Sequence, residues 1–207
     1  MPTVLFDIDG TLIHSGGVGQ RALLRSFEDL TNKKIQINPL FLAGRTDYFI
    51  IYHLLENYLG GYERHKHERL LELYLQYLAE EIAKSPPKVL PGVYEVLNSL
   101  RDQGIRLGLL TGNVREGARL KLGDLYSYFS IGFFGDEEED RNMLALKARS
   151  YLEDEFWIVG DTPHDISCAR AGGGKCIAVA TGHYSRHELA GADYVLNSLE
   201  EWFFYWH

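Results

Sequence analysis

The sequence is poor in cysteine and in long hydrophobic runs. It has two cysteines in 207 residues, Cys168 and Cys176, too few for a disulfide framework and typical of a reducing compartment. Its apolar runs fall far short of the ~20 residues that a membrane-spanning helix needs. The first six residues carry no basic stretch of the kind that opens a secretory signal. These absences predict a cytoplasmic protein without a membrane partner.

Positive charge is also scarce. The 21 Lys and Arg residues face 29 Asp and Glu residues, which gives a formal net charge of -8. A surplus of negative charge disfavours binding to a nucleic-acid backbone, so we expect no nucleic-acid partner. A protein of this charge that acts on an anion needs a metal cation or a local basic cluster. With 45% hydrophobic residues, the chain is long and apolar enough to bury a sizeable core.

Short apolar runs alternate with helical patterns along most of the chain. The runs predict strands at residues 3–8, 107–110, 131–134, 156–159 and 176–180, and more weakly at 194–196. The patterns between them predict helices at residues 93–103, 115–125, 142–152 and 165–171. Runs that are apolar throughout are typical of strands buried on both faces of a parallel sheet. The alternation therefore predicts an α/β fold with right-handed crossovers.

Residues 16–87 break this alternation. They contain no convincing strand and at least three amphipathic helical patterns, the clearest at residues 62–84. Turn-forming segments, Ser15-Gly16-Gly17 and Ser85-Pro86-Pro87, bound them on either side. We therefore predict two domains, an α/β core of residues 1–15 and 88–207 and an inserted helical cap of residues 16–87. The five aromatics at residues 202–206 predict a last helix that covers the sheet, or a contact in a homodimer.

Polar side chains follow three of the predicted strands. The first strand leads into Asp7-Ile8-Asp9-Gly10-Thr11, the 107–110 strand into Thr111-Gly112-Asn113, and the 156–159 strand into Gly160-Asp161 with Asp165 beyond. In open parallel sheets, ligands bind outside the carboxyl ends of the strands. Two carboxylates two residues apart suit a phosphoryl site, since one can attack phosphorus while the other handles the proton. The alternative is an acidic turn.

Asp161 and Asp165 lie four residues apart across a turn into a helix. This spacing lets their carboxylates converge on one hard cation that prefers oxygen ligands. Asp165 could instead serve only as the N-cap of the helix that follows.

In this order the three motifs resemble those of the haloacid dehalogenase-like hydrolase superfamily. Asp7-x-Asp9-Gly-Thr matches the first motif, Thr111 the second and Gly160-Asp161-x-x-x-Asp165 the fourth. Residues 16–87 have the place and helical character of that superfamily's C1-type cap, and Pro91-Gly92 fits the phosphoglycolate-phosphatase-like branch. The resemblance covers the whole chain and implies a Rossmann-like core.

The resemblance also implies roles for individual residues. Asp7 would be the nucleophile that forms an aspartyl-phosphate, Asp9 the group that protonates the leaving oxygen and then activates water, and Thr111 a ligand of a phosphoryl oxygen. Mg²⁺ would be bound by Asp7, the backbone carbonyl of Asp9 and Asp161, with Asp165 orienting the site. Substrate contacts are expected from Thr11, Gly112 and Asn113. Because the metal-free dehalogenases lack an acidic residue two places after the nucleophile, Asp9 favours a phosphatase.

The third motif departs from the superfamily pattern. Many members carry a Lys followed by Pro upstream of the fourth motif, and residues 135–144 contain neither. We expect Arg141 to supply the cation, because it stands at the start of a predicted helix near the carboxyl edge of the sheet. Lys147 lies about 9 Å further along that helix and on a different face. The alternative is that Arg141 only balances the acidic run at residues 137–140.

The cap contains one element of the same superfamily, Gly44-Arg45-Thr46-Asp47, which many relatives present toward the active site. Arg45 would then bind the substrate's phosphate or a second acid group. Alternatively, Arg45 is an exposed loop charge and Asp47 a helix N-cap. His65 and His67, two apart in a helical pattern, should diverge and lie on a solvated face.

These motifs together predict a Mg²⁺-dependent phosphatase that acts on a small phosphorylated metabolite, a phosphomonoester, through an aspartyl-phosphate. Two alternatives stay open. One is a phosphomutase of the same superfamily, similar to β-phosphoglucomutase, and the other is a catalytically silent binding protein on this fold. No feature of residues 16–87 identifies the substrate.

Overall fold

The computed structural model describes residues 2–136 and 138–206. Its strands are β1 (Thr3–Phe6), β2 (Ile13–His14), β3 (Lys88–Val89), β4 (Arg106–Leu110), β5 (Ile131–Phe133), β6 (Phe156–Gly160), β7 (Lys175–Val179) and β8 (Tyr194–Leu196). Its helices are α1 (Val18–Thr31), α2 (Pro39–Leu42), α3 (Asp47–Leu59), α4 (Arg64–Lys84), α5 (Val93–Asp102), α6 (Arg115–Leu122), α7 (Arg141–Tyr151) and α8 (Pro163–Gly172). Two 3₁₀ helices span Gly123–Tyr128 and Leu199–Phe204.

Six strands form one parallel sheet in the order β5-β4-β1-β6-β7-β8. This sheet confirms the predicted α/β fold with a Rossmann-like core. All of β1 is buried, as its continuous apolar run predicts, and it pairs with β4 on one side and β6 on the other. The three strands that carry the polar motifs are therefore neighbours at the centre of the sheet.

Helices cover both faces of the sheet. Successive residues of β1 point to opposite faces, so Val4 and Phe6 pack in one apolar cluster with α5 and α6. Leu5 packs in a second cluster with α7 and α8. The C-terminal 3₁₀ helix completes the first face with the buried Trp202, whose ring lies 6.5 Å from that of Phe6. The homodimer contact stays a prediction.

Residues 16–87, the predicted cap, contain four helices, α1 to α4. Their shared core is apolar, is built mainly from α1, α3 and α4, and includes Phe27, Leu54, Leu70 and Leu78. Of the two histidines expected on a solvated face, His65 is exposed. His67 is buried, and its ring centroid lies 4.5 and 5.7 Å from those of Tyr48 and Tyr62. The prediction for His67 was wrong because aromatic neighbours distant in sequence enclose it.

Two further features differ from the sequence prediction. Strands β2 and β3, two residues each, form an antiparallel ribbon directly beside the two points where the chain enters and leaves the cap. Strands this short leave no readable periodicity. Helix α6 ends at Leu122 instead of residue 125, because Gly123 adopts a positive φ of 52° and the chain continues as a 3₁₀ helix. The division into domains at residues 16 and 87 stays a prediction.

Among the helices that the structure describes, none combines the length and the apolar character needed to cross a membrane.

Candidate active site

Three predicted acids converge at the carboxyl edge of the sheet. Asp7 follows β1, Asp161 follows β6 and Asp165 lies in the first turn of α8. Each contributes one carboxylate oxygen to a group in which all the oxygens lie within 4.8 Å of one another, and all three residues are buried. Burying carboxylates this close to one another is unfavourable unless cations compensate their negative charge.

Arg141 is the cation inside this group. Its Nη2 atom lies 3.0 Å from Asp7 Oδ1 and 2.5 Å from Asp165 Oδ1, and the residue is buried. Lys147, the other candidate, has a side chain that is 40% exposed and pairs with Glu138 at 2.7 Å. The structure therefore places Arg141 in the site and Lys147 at the surface, where the helix phase puts each of them.

The pKa values of two carboxyl groups in the site, those of Asp7 and Asp161, are raised. Burial, with Asp165 and Asp9 nearby, raises the pKa of Asp7 to about 6 although Arg141 opposes this shift. Burial and the neighbouring carboxylates of Asp165 and Asp7 also raise the pKa of Asp161 well above its ordinary value. One guanidinium thus does not neutralise the negative charge of the site.

Asp165 holds the start of α8 and Arg141 together. Its Oδ2 atom accepts hydrogen bonds from the backbone N–H and the hydroxyl of Thr162, at 2.9 and 2.7 Å. Thr162 is the N-cap and Asp165 the third helical residue, so the alternative of Asp165 as the N-cap is wrong. Since Arg141 occupies the other oxygen, Asp165 is placed to orient the site.

Asp161 carries the least compensated charge. It forms no ion pair with any residue the structure describes, and Thr11 donates a long hydrogen bond of 3.4 Å to its Oδ1 atom. A Cβ atom at Gly10 or Gly182 would lie 2.4 or 1.7 Å from Asp161 Oδ2, so glycine is required around this carboxylate. Buried oxygen donors with unneutralised charge fit a hard divalent cation such as Mg²⁺.

Asp9 is held by a lysine that the sequence analysis missed. The Nζ atom of Lys121 donates to Asp9 Oδ2 at 2.7 Å and to Asn113 Oδ1 at 2.6 Å. Asn113 Nδ2 also donates to Asp9 Oδ2, at 2.9 Å. Burial would raise the pKa of Asp9, but the ammonium beside it prevails and lowers it. Lysine on the buried face of an amphipathic helix, next to Gly117 and Ala118, is the signal that could have identified Lys121.

A cavity of about 480 Å³ lies between the cap and this edge of the sheet. Its core wall includes Asp7, Asp9, Gly112, Asn113, Lys121, Arg141 and Asp161. Its cap wall is largely apolar and includes Leu23, Leu42, Ile50 and Ile51, with Gln20, Arg45, Asp47 and Tyr74 as polar members. The volume is within the range of small-molecule sites. Of the expected substrate contacts, Thr11 does not line the cavity and instead lies against Asp161.

Residues 44–48, which we term the cap latch, bind the cap to the core. The backbone N–H of Asp47 donates to Gly112 O at 2.7 Å, and its carboxylate accepts from the N–H of Val114 at 2.9 Å. Thr46 is the N-cap of α3, so the alternative of Asp47 as that N-cap is wrong. A Cβ atom at Gly112 would lie 1.9 Å from Arg45 O, which shows that glycine there permits the close approach of the cap.

Arg45 lines the cavity and is not a freely exposed charge. Its guanidinium carbon lies 4.9 Å from the Phe41 ring centroid and 4.6 Å from that of Phe49. It forms no ion pair with the residues at 2–136 and 138–206, so its charge is available to an anion in the cavity.

Known proteins are similar to this chain in sequence. The family model of haloacid dehalogenase-like hydrolases matches residues 1–173. Pyrophosphatase PpaX of Halalkalibacterium halodurans is 32% identical over 206 residues, with 93% of this chain and 87% of that protein covered. A probable phosphatase, IndB of Dickeya dadantii, is 28% identical over 206 residues, with coverages of 93% and 86%.

Solved structures show the same fold. CbbY from Rhodobacter sphaeroides, in complex with phosphate, superposes with a TM-score of 0.81 at 21% identity and covers 96% of this chain and 95% of that one. A hydrolase from Pseudomonas syringae superposes with a TM-score of 0.76 at 23% identity, with coverages of 99% and 97%.

Proposed function

Because the chain belongs to the haloacid dehalogenase-like hydrolases and is a phosphatase of that family, we propose that it cleaves a small phosphate monoester, with Mg²⁺, through an aspartyl-phosphate on Asp7. The convergence of Asp7, Asp161 and Arg141 at one edge of the sheet, beneath the cavity, carries this proposal. Phosphoryl transfer depends mostly on positioning and charge neutralisation, and these residues supply both.

Arg141 and Thr111 would hold the phosphoryl group. The Nε atom of Arg141 is buried and has no hydrogen-bond partner among the described residues, so one N–H of the guanidinium is available to a phosphoryl oxygen. The Nη2 atom meanwhile contacts Asp7 and keeps the attacking carboxylate in place. The same side chain therefore orients both reactants.

Asp7, Asp161 and the backbone carbonyl of Asp9 would hold Mg²⁺, with Asp165 positioning Arg141 beside them. When bound there, Mg²⁺ neutralises the negative charge on the carboxylates and on the phosphoryl oxygens. The unpaired, glycine-enclosed carboxylate of Asp161 supports this assignment.

Two steps would complete the reaction. A carboxylate oxygen of Asp7 attacks phosphorus, the bond from phosphorus to the leaving oxygen breaks, and Asp9 donates a proton to that oxygen. Asp9 then accepts a proton from water as the water oxygen attacks phosphorus. The bond between phosphorus and Asp7 breaks, and inorganic phosphate and the free Asp7 carboxylate result.

Pyrophosphate hydrolysis is a second candidate. Relatives at about a third identity are named pyrophosphatases, and Arg45 offers a cation without an acidic partner among the described residues on the cavity wall. The apolar cap wall, however, leaves room for an organic leaving group that pyrophosphate would not fill. An organic phosphate with a second acidic group would use both features.

Release of phosphate from a panel of phosphorylated metabolites and from pyrophosphate, with Mg²⁺, tests this function. Asp7→Asn should keep the fold and lose essentially all turnover, since no other group can replace the covalent step. EDTA should abolish activity and added Mg²⁺ restore it. Turnover near wild type in folded Asp7→Asn, or full activity in EDTA, would overturn the proposal.

A further inference from the structure

We propose that Lys121 is a positioning residue. With Asn113, it holds Oδ2 of Asp9 and so fixes the orientation of the carboxylate that exchanges the proton. The inference rests on the proposed function, in which Asp9 exchanges a proton with the leaving oxygen and then with water.

The two oxygens of Asp9 have different surroundings. Oδ2 accepts hydrogen bonds from Lys121 at 2.7 Å and from Asn113 at 2.9 Å. Oδ1 is buried and has no partner among the described residues, although Asp9 lines the cavity. A buried acceptor without a partner is costly, so the hydrogen bonds to Oδ2 must hold the carboxylate in this orientation. Oδ1 is thus the oxygen with free hydrogen-bonding capacity.

Residues of the core hold Lys121 in place. Asn113 accepts from its ammonium at 2.6 Å, and Asn113 in turn donates to the hydroxyl of Thr111 at 2.9 Å. This chain of hydrogen bonds runs from the end of β4 to the acid–base residue. Rotation of the Asp9 carboxylate would break the hydrogen bonds from Lys121 and Asn113 at once, so the carboxylate is fixed in one orientation.

The cap encloses Lys121 on its other side. A Cβ atom at Gly19 of α1 would lie 3.3 Å from Lys121 Nζ and 3.6 Å from the hydroxyl of Tyr74 on α4. The Lys121 side chain is only 6% exposed as a result. The cap therefore shields the Lys121 ammonium from bulk water, while the Asp9 side chain stays partly exposed toward the cavity.

A pre-steady-state experiment with p-nitrophenyl phosphate separates positioning from other roles. Its leaving group departs without a proton, so Lys121→Met should still release nitrophenolate in the first turnover. Attack by water on the aspartyl-phosphate requires Asp9, and that step should slow by about 100-fold. We expect kcat to fall by that factor without a rise in KM, and a burst of about one nitrophenolate per site to precede the slow steady state.

Arg119→Met is the matched control, because Arg119 lies on the exposed side of the same helix, over the ring of Tyr126 at 5.2 Å. It should retain wild-type rates. Lys121→Gln, whose amide can still donate to Asp9 Oδ2, should show the same burst with a smaller loss of kcat and serves if the Met variant fails to fold.

Acid-quench trapping of the aspartyl-phosphate distinguishes a failure of the proposed function from a failure of the role of Lys121. Turnover without any trapped phosphate in wild type and in Lys121→Met would overturn the proposed function. Trapped phosphate that Lys121→Met hydrolyses at the wild-type rate would overturn only the role of Lys121. A raised KM with unchanged kcat would also overturn it, since Lys121 would then bind substrate.

Discussion

Two clusters of charged side chains, one in the core and one in the cap, use the same chemistry in opposite ways. In the core, Arg141 meets Asp7 and Asp165 at 3.0 and 2.5 Å with every partner buried. In the cap, Glu81 meets Arg21 and Arg25 at 2.8 and 2.7 Å, and both arginines are about 40% exposed. The core cluster has more acids than bases, and the cap cluster has more bases than acids.

The pKa values respond in opposite directions. Hydrogen bonds from Arg21 and Lys84 lower the pKa of Glu81 to about 2, whereas burial raises that of Asp7 to about 6. Glu81 is a satisfied carboxylate that joins α4 to α1. Asp7 shares the guanidinium of Arg141 with Asp165, so its charge is only partly compensated, which fits a further cation. The comparison teaches that the balance of charge under burial, more than the presence of an ion pair, distinguishes a reactive site from a structural one.

Removal of Arg141 should have the largest effect. Arg141→Ala leaves Asp7 and Asp165 buried without their cation, so we expect kcat/KM to fall by about 1,000-fold or more and stability by about 3–5 kcal/mol. Lys147→Ala, which removes a pair at the surface, should stay within about twofold of wild type. Phosphate release and urea unfolding measure both. A larger loss in Lys147→Ala would show that the assignment of the third motif is wrong.

Asp47 of the cap latch should give an intermediate effect that depends on pH. Burial raises its pKa to about 6, against the pull of Lys121 and the N–H of Val114. A carboxyl group with a raised pKa contributes stability below its unfolded value near 4 and loses it as pH rises through 6. Asp47→Asn avoids this loss, and the amide oxygen can still accept from Val114.

The free energy of unfolding should therefore rise in Asp47→Asn relative to wild type by about 1–3 kcal/mol between pH 4 and pH 7. Urea unfolding of both proteins across that range measures the difference. Parallel stability curves would show that the Asp47 carboxyl is not perturbed in the folded protein.

Glu81→Gln, in the charged cluster of the cap, should have the smallest effect on stability and turnover. Its lowered pKa means that the ion pairs stabilise the fold above pH 4.5 and are lost as pH falls toward 2. The variant should lower Tm by a few degrees at pH 7 and match wild type at pH 2, with turnover unchanged. A loss of turnover would show that this cluster takes part in a movement of the cap during catalysis.

The fold and part of the site could be predicted from local patterns. Apolar runs identify β1, β4 and β6, and polar residues at their ends identify Asp7, Thr111 and Asp161, because a parallel sheet aligns its carboxyl ends. Arg141 follows from its position at the start of a helix. The partners of Lys121 and Asp47 could not be predicted, although the helix pattern could have marked Lys121 as buried. Lys121 meets Asp9 across 112 positions, and Asp47 meets Val114 across 67. Neither pairing leaves a periodic or spacing signal.

The ribbon of β2 and β3 brings the two ends of the predicted cap together. Ile13 lies opposite Val89 and His14 opposite Lys88, so the outgoing and returning chains run side by side at about 5 Å. Whatever is inserted there begins and ends at nearly the same point, so its length is of little consequence to the sheet beneath. A change in the length of residues 16–87 is therefore compatible with the sheet, provided that contacts with the core such as that between Asp47 and Val114 are kept.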